Sequence, residues 1–285
     1  MTVTTNTQVS FNGLDLFGDA YEVQAVEGIA GMPQVRTSDI IIAGRDGQRG
    51  GTDRLDTRVV TLTVAIYAFT DEDFYAAVNA LRDAFVPSTT TDKVLTFRFG
   101  GVADDGVRRL NCRCRGLSIP MERSYWMDVA TATIQLVATD PLIYDDTLQD
   151  ETTTLPTAGG GLEFDATFDL IFGDVAEGGA IYANNEGNWP ADLLIRIDGP
   201  ATNPRVENVT TGETLEMDFT LEAGDYLVFD TAERTVLLNG TASRYSYLTN
   251  DSSWFRLQPG SNEISFRATT SSAATLTVAW RSAWL

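Results

Sequence analysis

The chain contains no histidine, only two cysteines, a single lysine and no long apolar run. Histidine is the commonest general base and the commonest metal ligand, so its absence excludes Ser-His and Cys-His hydrolases and histidine-based zinc sites. No segment approaches the roughly 18 apolar residues that a membrane-spanning helix needs. The first residues carry neither a basic flank nor an apolar stretch, so we expect no secretory signal.

The two cysteines, Cys112 and Cys114, are two positions apart in a segment that reads as a strand. Their side chains would therefore point to the same face at a spacing of about 7 Å, which is awkward for a disulfide. Two thiolates alone do not make a zinc site. We interpret them as buried free thiols of a protein in a reducing compartment.

Acidic residues outnumber basic residues by 40 to 20, which gives a net charge of −20. Such a charge disfavours binding to nucleic-acid phosphates and to anionic membrane surfaces. The simplest interpretation is a solvated acidic surface that keeps the protein in solution. The scarcity of lysine also fits a GC-rich genome or a high-salt host, and the composition does not separate these alternatives.

The stretch from residue 58 to residue 87 predicts a strand followed by the only convincing helix of the chain. The strand is rich in β-branched and aromatic residues. Thr70 is a suitable N-cap, three carboxylates follow it in the first turn, and Pro87 ends the helix. The apolar stripe of this helix consists of Phe74, Val78, Leu81 and Phe85. A single amphipathic helix among strands must bury that stripe against a sheet.

A length of 285 residues favours two domains. Residues 147–161 are acidic, then threonine-rich, and end in three glycines, which is typical of a linker. We therefore predict a first domain over residues 1–146 and a second over residues 162–285. The second contains short strands separated by glycine-bearing turns, the pattern of an antiparallel sandwich.

Three local predictions accompany this division. The pair Asn12-Gly13 between apolar residues predicts a tight hairpin. Residues 126–138 alternate apolar and polar side chains and predict one long strand, which ends at Asp140-Pro141. Residues 162–172 are expected to start the strand series of the second domain.

A glycine-rich segment around Arg45, Asp46, Gly47 and Arg49 is the first candidate site. Its glycine spacing fits neither a phosphate-binding P-loop nor a dinucleotide fingerprint. Asp46-Gly47 instead indicates a hairpin tip, and arginines are concentrated there in an otherwise acidic protein. The segment is either a mobile surface loop or a docking arm for an acidic neighbour.

Carboxylates are the one catalytic resource, so glycoside hydrolysis by two acids is the enzymatic class that the composition permits. The acidic clusters Asp71-Glu72-Asp73, Asp104-Asp105 and Asp145-Asp146 fall at a helix cap, a turn and a linker. Carboxylates at such positions are usually only solvated. We therefore predict no enzyme, no catalytic residues, no cofactor and no metal site.

Aromatic residues are the second candidate feature, because β-sandwiches often bind sugars through exposed rings. Trp280 shares a strand face with Leu276 and Val278 and is expected in the core. Trp254, beside a turn, is the better candidate for stacking on a glycan. Packing inside the sandwich is the alternative, and it is favoured because aromatic residues dominate such cores.

Taken in order, the motifs of the chain resemble those of the distal tail proteins of long-tailed, siphovirus-like phages. In the first domain the resemblance is carried by the hairpin Arg45–Gly47, the strand and helix of residues 58–85, and Asp140-Pro141-Leu142-Ile143-Tyr144. In the second it is carried by Asn185-Glu186-Gly187-Asn188-Trp189-Pro190, Asn208-Val209-Thr210-Thr211-Gly212-Glu213, Gly224-Asp225-Tyr226-Leu227, Asp230-Thr231, Leu238-Asn239-Gly240, Trp254 to Asn262, and Val278-Ala279-Trp280-Arg281.

The resemblance implies a mainly β protein. Its N-terminal belt domain would be a β-sandwich or split barrel with one α-helix, and its C-terminal domain a galectin-like or carbohydrate-module-like antiparallel sandwich. It further implies a structural virion protein, assembled in the host cytoplasm, that forms a hexameric ring at the tail tip.

The implied ring would join the tail tube protein to the tail-tip hub protein and to receptor-binding or fibre proteins, and it would contact the tape-measure protein. No specific nucleic acid and no membrane insertion are expected. A carbohydrate-binding adhesin module that contacts the host surface is the alternative function. The acidity would then either line the ring bore, where it repels DNA, or form an outward solubility coat.

Overall fold

The computed structural model describes residues 9–98, 106–156, 179–269 and 273–285. The chain divides into two compact units, one of residues up to Asp146 together with Trp284–Leu285, the other of Thr147–Ala283. Within the described ranges, no helix is long and apolar enough to cross a membrane.

The first unit is built from strands and one α-helix. Its elements are β1 (Val9–Phe11), β2 (Leu14–Asp15), β3 (Tyr21–Glu27), β4 (Val35–Arg36), β5 (Ile40–Ile41), β6 (Gln48–Arg49), β7 (Arg54–Leu55), β8 (Arg58–Tyr67), α1 (Asp71–Ala84), β9 (Lys93–Phe97), β10 (Arg108–Ser118), a 3₁₀ turn (Tyr125–Met127), β11 (Val129–Ala138) and β12 (Ile143–Asp145).

These strands pair antiparallel in the order β2-β1-β9-β10-β11-β8-β3, and β12 pairs with the start of β10. Strand β10 links two sheets: its first half pairs with β9, and its second half pairs with β11 from Arg113 onward, with a bulge between Cys114 and Gly116. The predicted hairpin is confirmed, since Asn12 and Gly13 both have positive φ between β1 and β2.

Helix α1 forms as its sequence predicts. The hydroxyl of Thr70 accepts a hydrogen bond from the backbone N–H of Asp73, and all four residues of the apolar stripe are buried in the core of the first unit. The ring of Phe85 stacks on Phe11 with centroids 4.4 Å apart. The single lysine, Lys93, donates to the carbonyl of Ala84 at the helix end, where a cation is favourable.

The second unit consists of antiparallel strands. They are β13 (Gln149–Thr154), β14 (Ala180–Asn185), β15 (Leu193–Asp198), β16 (Ala201–Thr202), β17 (Arg205–Asn208), β18 (Glu213–Glu216), β19 (Thr220–Leu221), β20 (Tyr226–Asp230), β21 (Thr235–Leu238), β22 (Ala242–Ser243), β23 (Gly260–Arg267) and β24 (Thr275–Trp280), with a 3₁₀ turn at Tyr245–Tyr247. A short strand, β25 (Ala283–Trp284), starts at the last residue of this unit.

Two sheets make up most of this unit, with orders β13-β24-β15-β20-β21-β22 and β14-β23-β17-β18. Alternate residues of their main strands are buried, so each sheet has one face that packs inward. The predicted mainly β fold with one helix and a C-terminal sandwich is confirmed, and Trp280 lies in the core as predicted.

Two sequence predictions require correction. Residues 149–154, which fall inside the predicted linker, form β13 and pair with β24 from Gln149↔Trp280 to Thr154↔Thr275. Three consecutive threonines, Thr152 to Thr154, supply β-branched side chains that favour a strand there. The strand predicted over 126–138 begins only at Val129, because Asp128 adopts a left-handed conformation with φ of 59° and Trp126 lies in the 3₁₀ turn. The predicted strand at 162–172 and the end of the linker, 157–161, lie outside the described residues.

Candidate assembly surface

A two-stranded arm, residues 34–56, extends from the first unit. It begins where the backbone N–H of Asp56 donates to the carbonyl of Gln34 at 2.7 Å, and it continues through the pairs β4–β7 and β5–β6. Between these pairs, the Ser38 hydroxyl exchanges hydrogen bonds with the backbone of Thr52. The arm is therefore a continuous hydrogen-bonded hairpin.

Arg58, directly after the arm, anchors its base. Its side chain is 1% exposed, and its Nε donates to the carbonyl of Pro141 at 2.7 Å. Its Nη1 lies 2.9, 3.1 and 2.6 Å from the carbonyls of Gly28, Ile29 and Gly31, which precede the arm. Burial lowers the pKa of Arg58. One guanidinium thus fastens the chain entering the arm to the chain leaving it.

The surface of the arm combines apolar and charged side chains. Every residue from 34 to 54 is exposed, and Ile41 is 75% exposed. An isoleucine this exposed, next to the exposed Ile40 and Ile42, forms an apolar patch of the kind that marks interaction sites. An arm that is internally bonded but uncovered by its own domain is suited to contact another protein.

The predicted docking residues all lie at or beside the tip of this arm. Arg45, Asp46 and Gly47 lie in the turn between β5 and β6, where Gly47 has φ of 87°, and Arg49 pairs with Ile40, one position before the last pair of the hairpin. The turn is thus the hairpin tip that Asp46-Gly47 indicates, while its docking role stays a prediction. The arginine content was the sequence signal that pointed to this tip, but it did not indicate the length of the arm.

Trp254 lies at the surface of the second unit and is half-buried. Its ring stacks nearly parallel on that of Tyr245, with centroids 6.3 Å apart and an interplanar angle of 18°. Tyr245 is itself exposed. The pair is a small aromatic surface, separate from the sandwich core that contains Trp280.

The acidic clusters do not form a catalytic cleft in the described residues. Asp71–Asp73 lie exposed in the first turn of α1, and Asp104-Asp105 lie outside the described residues. An open groove of about 750 Å³ between α1 and β10 is lined by only one carboxylate, Asp83. In the described ranges, no group of three or more carboxylate or thiol side chains is arranged to hold a metal ion.

Both cysteines of β10 are buried free thiols, as predicted. Desolvation raises the pKa of Cys112 to about 12, with smaller contributions from Asp92 and Cys114. Burial also raises the pKa of Cys114. Thiols with such pKa values are protonated and unreactive at neutral pH.

The motif residues of the second unit are structural. The buried side chain of Asn185 donates to the carbonyls of Trp189 and Leu257 and accepts from the backbone N–H groups of Gly187 and Ala283. A Cβ on Gly187 would lie 1.7 Å from the carbonyl oxygen of Ala283, so only glycine fits. Asn262 similarly bonds both backbone groups of Gln258. These residues fix turns of the sandwich.

Comparison with known proteins gives a family and a fold. Residues 186–284 match the family model described as "Siphovirus-type tail component, C-terminal domain". The crystal structure of the Dit protein (gp 19.1) of phage SPP1, described as a paradigm of the hub adsorption apparatus in phages that infect Gram-positive bacteria, superimposes with a TM-score of 0.68 at 16% identity and covers 98% of this chain and 99% of its own.

A chain of the phage P2 baseplate in its activated conformation with Ca superimposes with a TM-score of 0.50 at 10% identity, covering 96% of this chain and 97% of that one. A search of curated proteins finds no significant match. The resemblance to distal tail proteins is confirmed: residues 186–284 match the siphovirus-type tail component model, and 98% of the chain superimposes on the fold of the SPP1 Dit protein.

Proposed function

We propose that the protein is a structural component of a phage tail tip, where copies of it form a ring, most simply a hexamer, that joins the tail tube to the tail-tip hub. The observation that carries the proposal is the arm, a preformed hairpin whose apolar and basic side chains are exposed from residue 34 to residue 54. The Dit-like fold over 98% of the chain supports the same role.

The arm is suited to join copies because it is already folded in the isolated chain. Docking a preformed hairpin costs less conformational entropy than ordering a loop on binding. Burial of Ile40, Ile41 and Ile42 in an interface would supply the apolar contribution, at about 25 cal/mol per Å² of apolar surface removed from water. The buried Arg58 would hold the arm in a fixed direction, as repeated contacts in a ring require.

The expected partners follow from the position of such a ring in a tail tip. Apart from its own copies, they are the tail tube protein, the hub protein, receptor-binding or fibre proteins and the tape-measure protein. The SPP1 Dit relative is described as part of a hub adsorption apparatus, which supports a location in the virion tail. This role uses contacts between proteins and requires no catalytic residue.

Mass photometry of the purified full-length chain tests the ring. We expect a particle of about six times the 31.0 kDa chain mass. Replacing Ile40 and Ile41 with serine should shift the distribution toward monomers, because both side chains lose the apolar surface that the interface buries. The matched control is Tyr182→Ser, which removes an exposed apolar side chain of the second unit. A wild-type chain that remains monomeric at micromolar concentration would refute the proposal.

Glycan binding through the aromatic surface of Tyr245 and Trp254 is a second proposed function. It is favoured by one observation, the near-parallel stack of two rings at the surface of a β-sandwich. A glycan array probed with the full-length protein should then show binding that Trp254→Ala abolishes and Trp189→Phe retains. Binding that is equal in wild type and Trp254→Ala, or absent in both, would contradict this role.

A further inference from the structure

The first unit carries a second exposed apolar surface, which we name the end patch: Phe69, Tyr75, Trp126, Met127 and Val129. Phe69 is 99% exposed, and Trp126 and Met127 are each 66% exposed. These residues are neighbours, because the N–H of Ala68 donates to the carbonyl of Asp128 and Val129 pairs with Tyr67. Apolar residues exposed singly are normal on a protein surface, whereas five large ones side by side form a contiguous patch.

The 3₁₀ turn before β11 creates this patch. Because Asp128 is left-handed, β11 starts only at Val129, and Trp126 and Met127 lie in the 3₁₀ turn before it, exposed at the surface. The rings of Tyr75 and Trp126 both contact the buried Tyr125, with centroids 6.5 and 5.7 Å from it. Tyr125 therefore holds the exposed rings in place.

Acidic side chains surround the end patch. Residues 69–75 and 121–129 together contain five carboxylates and one arginine, a net charge of −4. Desolvation and the neighbouring carboxylate of Asp71, to which it is hydrogen-bonded, raise the pKa of Asp128. Two carboxylates in contact repel each other when both are ionised, and a cation placed beside them would relieve that repulsion.

The outer part of the arm, residues 40–50, which we name the distal arm, has a composition complementary to that of the end patch. Residues 40–50 contain three isoleucine residues, two arginines and one aspartate, a net charge of +1 in a chain of net −20. Neither Arg45 nor Arg49 takes part in an ion pair with another described residue. The arm thus offers apolar and basic groups, and the end patch offers apolar and acidic groups.

The two surfaces lie at opposite ends of one strand. The arm leaves the domain at Arg58, the first residue of β8, whereas the end patch begins beyond Tyr67, the last. A strand of ten residues separates them by about 30 Å at roughly 3.3 Å per residue. Both surfaces are exposed in the single chain, so the arm does not cover the end patch of its own copy.

We propose that the distal arm of one copy docks on the end patch of the next, with Ile40–Ile42 against Phe69, Trp126 and Met127 and with Arg45 and Arg49 against Asp71 and Asp128. The proposal rests on the proposed ring and adds its contact. Complementary surfaces at two ends of a molecule make a head-to-tail interface, which propagates from copy to copy and closes into a ring when the rotation allows.

Two charge-reversed variants of the full-length protein test this contact. The arm variant carries Arg45→Asp and Arg49→Asp. The patch variant carries Asp71→Arg, Glu72→Arg and Glu122→Arg, which change the net charge of the two patch segments from −4 to +2. Asp128 is left unchanged because its φ of 59° would strain an arginine. The control, Arg115→Asp with Arg234→Asp, alters two exposed arginines outside both surfaces.

Mass photometry should show that each variant alone dissociates, with an apparent dissociation constant raised on the order of 100-fold, because like charges then meet at the contact. An equimolar mixture should reassemble, because each arm then meets a patch of opposite charge. The control should assemble as the wild type does, and all variants should retain the wild-type circular dichroism spectrum.

Three outcomes distinguish the possibilities. Assembly in the mixture, but in neither variant alone, supports the head-to-tail contact. The contact would be overturned if either variant alone assembled as the wild type does, or if the mixture stayed dissociated although both variants are folded. In those cases an oligomeric wild type would still support the ring. A wild type that is itself monomeric would refute the ring and this contact together.

Discussion

Replacing Arg58 with methionine should destabilise the base of the arm more than any exposed substitution in the first unit. Methionine replaces the unbranched apolar part of the side chain but donates nothing, so the carbonyls of Pro141, Gly28, Ile29 and Gly31 lose the donors of one guanidinium. Each buried carbonyl that is left without its donor costs about 1–3 kcal/mol. Relief of the desolvation of the guanidinium offsets part of the loss, which places the expected cost near 3 kcal/mol.

Hydrogen exchange measured by mass spectrometry reports this cost locally, which matters because two units need not unfold together. At about 1.4 kcal/mol per tenfold, peptides of β3 and β8 should exchange on the order of 100-fold faster in Arg58→Met. Arg58→Lys keeps a charge and some of the hydrogen bonds, so its exchange rates should lie between those of the wild type and those of Arg58→Met. The exposed Arg234→Met is the control. Exchange in Arg58→Met within threefold of the wild type would refute the anchoring role.

Three further predictions concern two glycines that lie close to a backbone carbonyl and one buried cysteine. Gly28→Ala should lower the unfolding free energy of the first unit by more than about 2 kcal/mol, since its φ is 88° and a Cβ would lie 2.0 Å from the carbonyl oxygen of Val59; unchanged urea denaturation would contradict this. Gly187→Ala should destabilise the second unit in the same way, and an unaltered melting curve would refute the clash with Ala283. Cys112 should react with a thiol reagent only after unfolding, and rapid labelling of the native protein at pH 8 would contradict its burial. Because its pKa rises from 9.0 to about 12 on folding, its contribution to stability is complete below pH 9 and falls as the pH rises toward 12.

Local chemistry made several elements predictable from the sequence. The cap at Thr70 and the 3.6-residue period fixed helix α1, and the pair Asn12-Gly13 fixed a hairpin, because both depend on residues close together in the chain. The tip of the arm was identified from Asp46-Gly47 and its arginines. The two buried cysteines followed from their spacing on a strand.

Features that depend on distant contacts were missed. Arg58 reads as an exposed residue at the start of a strand, and its burial is determined by carbonyls as far away as Pro141. Strand β13 reads as a linker, and it is a strand only because β24, more than 120 residues later, pairs with it. The late start of β11, after Asp128, was hidden by the apolar Trp126 and Met127, which extend the strand pattern toward the N-terminus but form part of the end patch instead.

The central claim is that the distal arm of one copy contacts the end patch of the next. A disulfide between copies tests it most directly. Ile41→Cys and Trp126→Cys placed in separate chains should give a crosslinked dimer when the two chains are mixed and oxidised, whereas each variant alone should not, and one chain that carries both should give a ladder up to the closed ring. No crosslink in the mixture, under conditions in which the wild-type chain is oligomeric, would contradict the account.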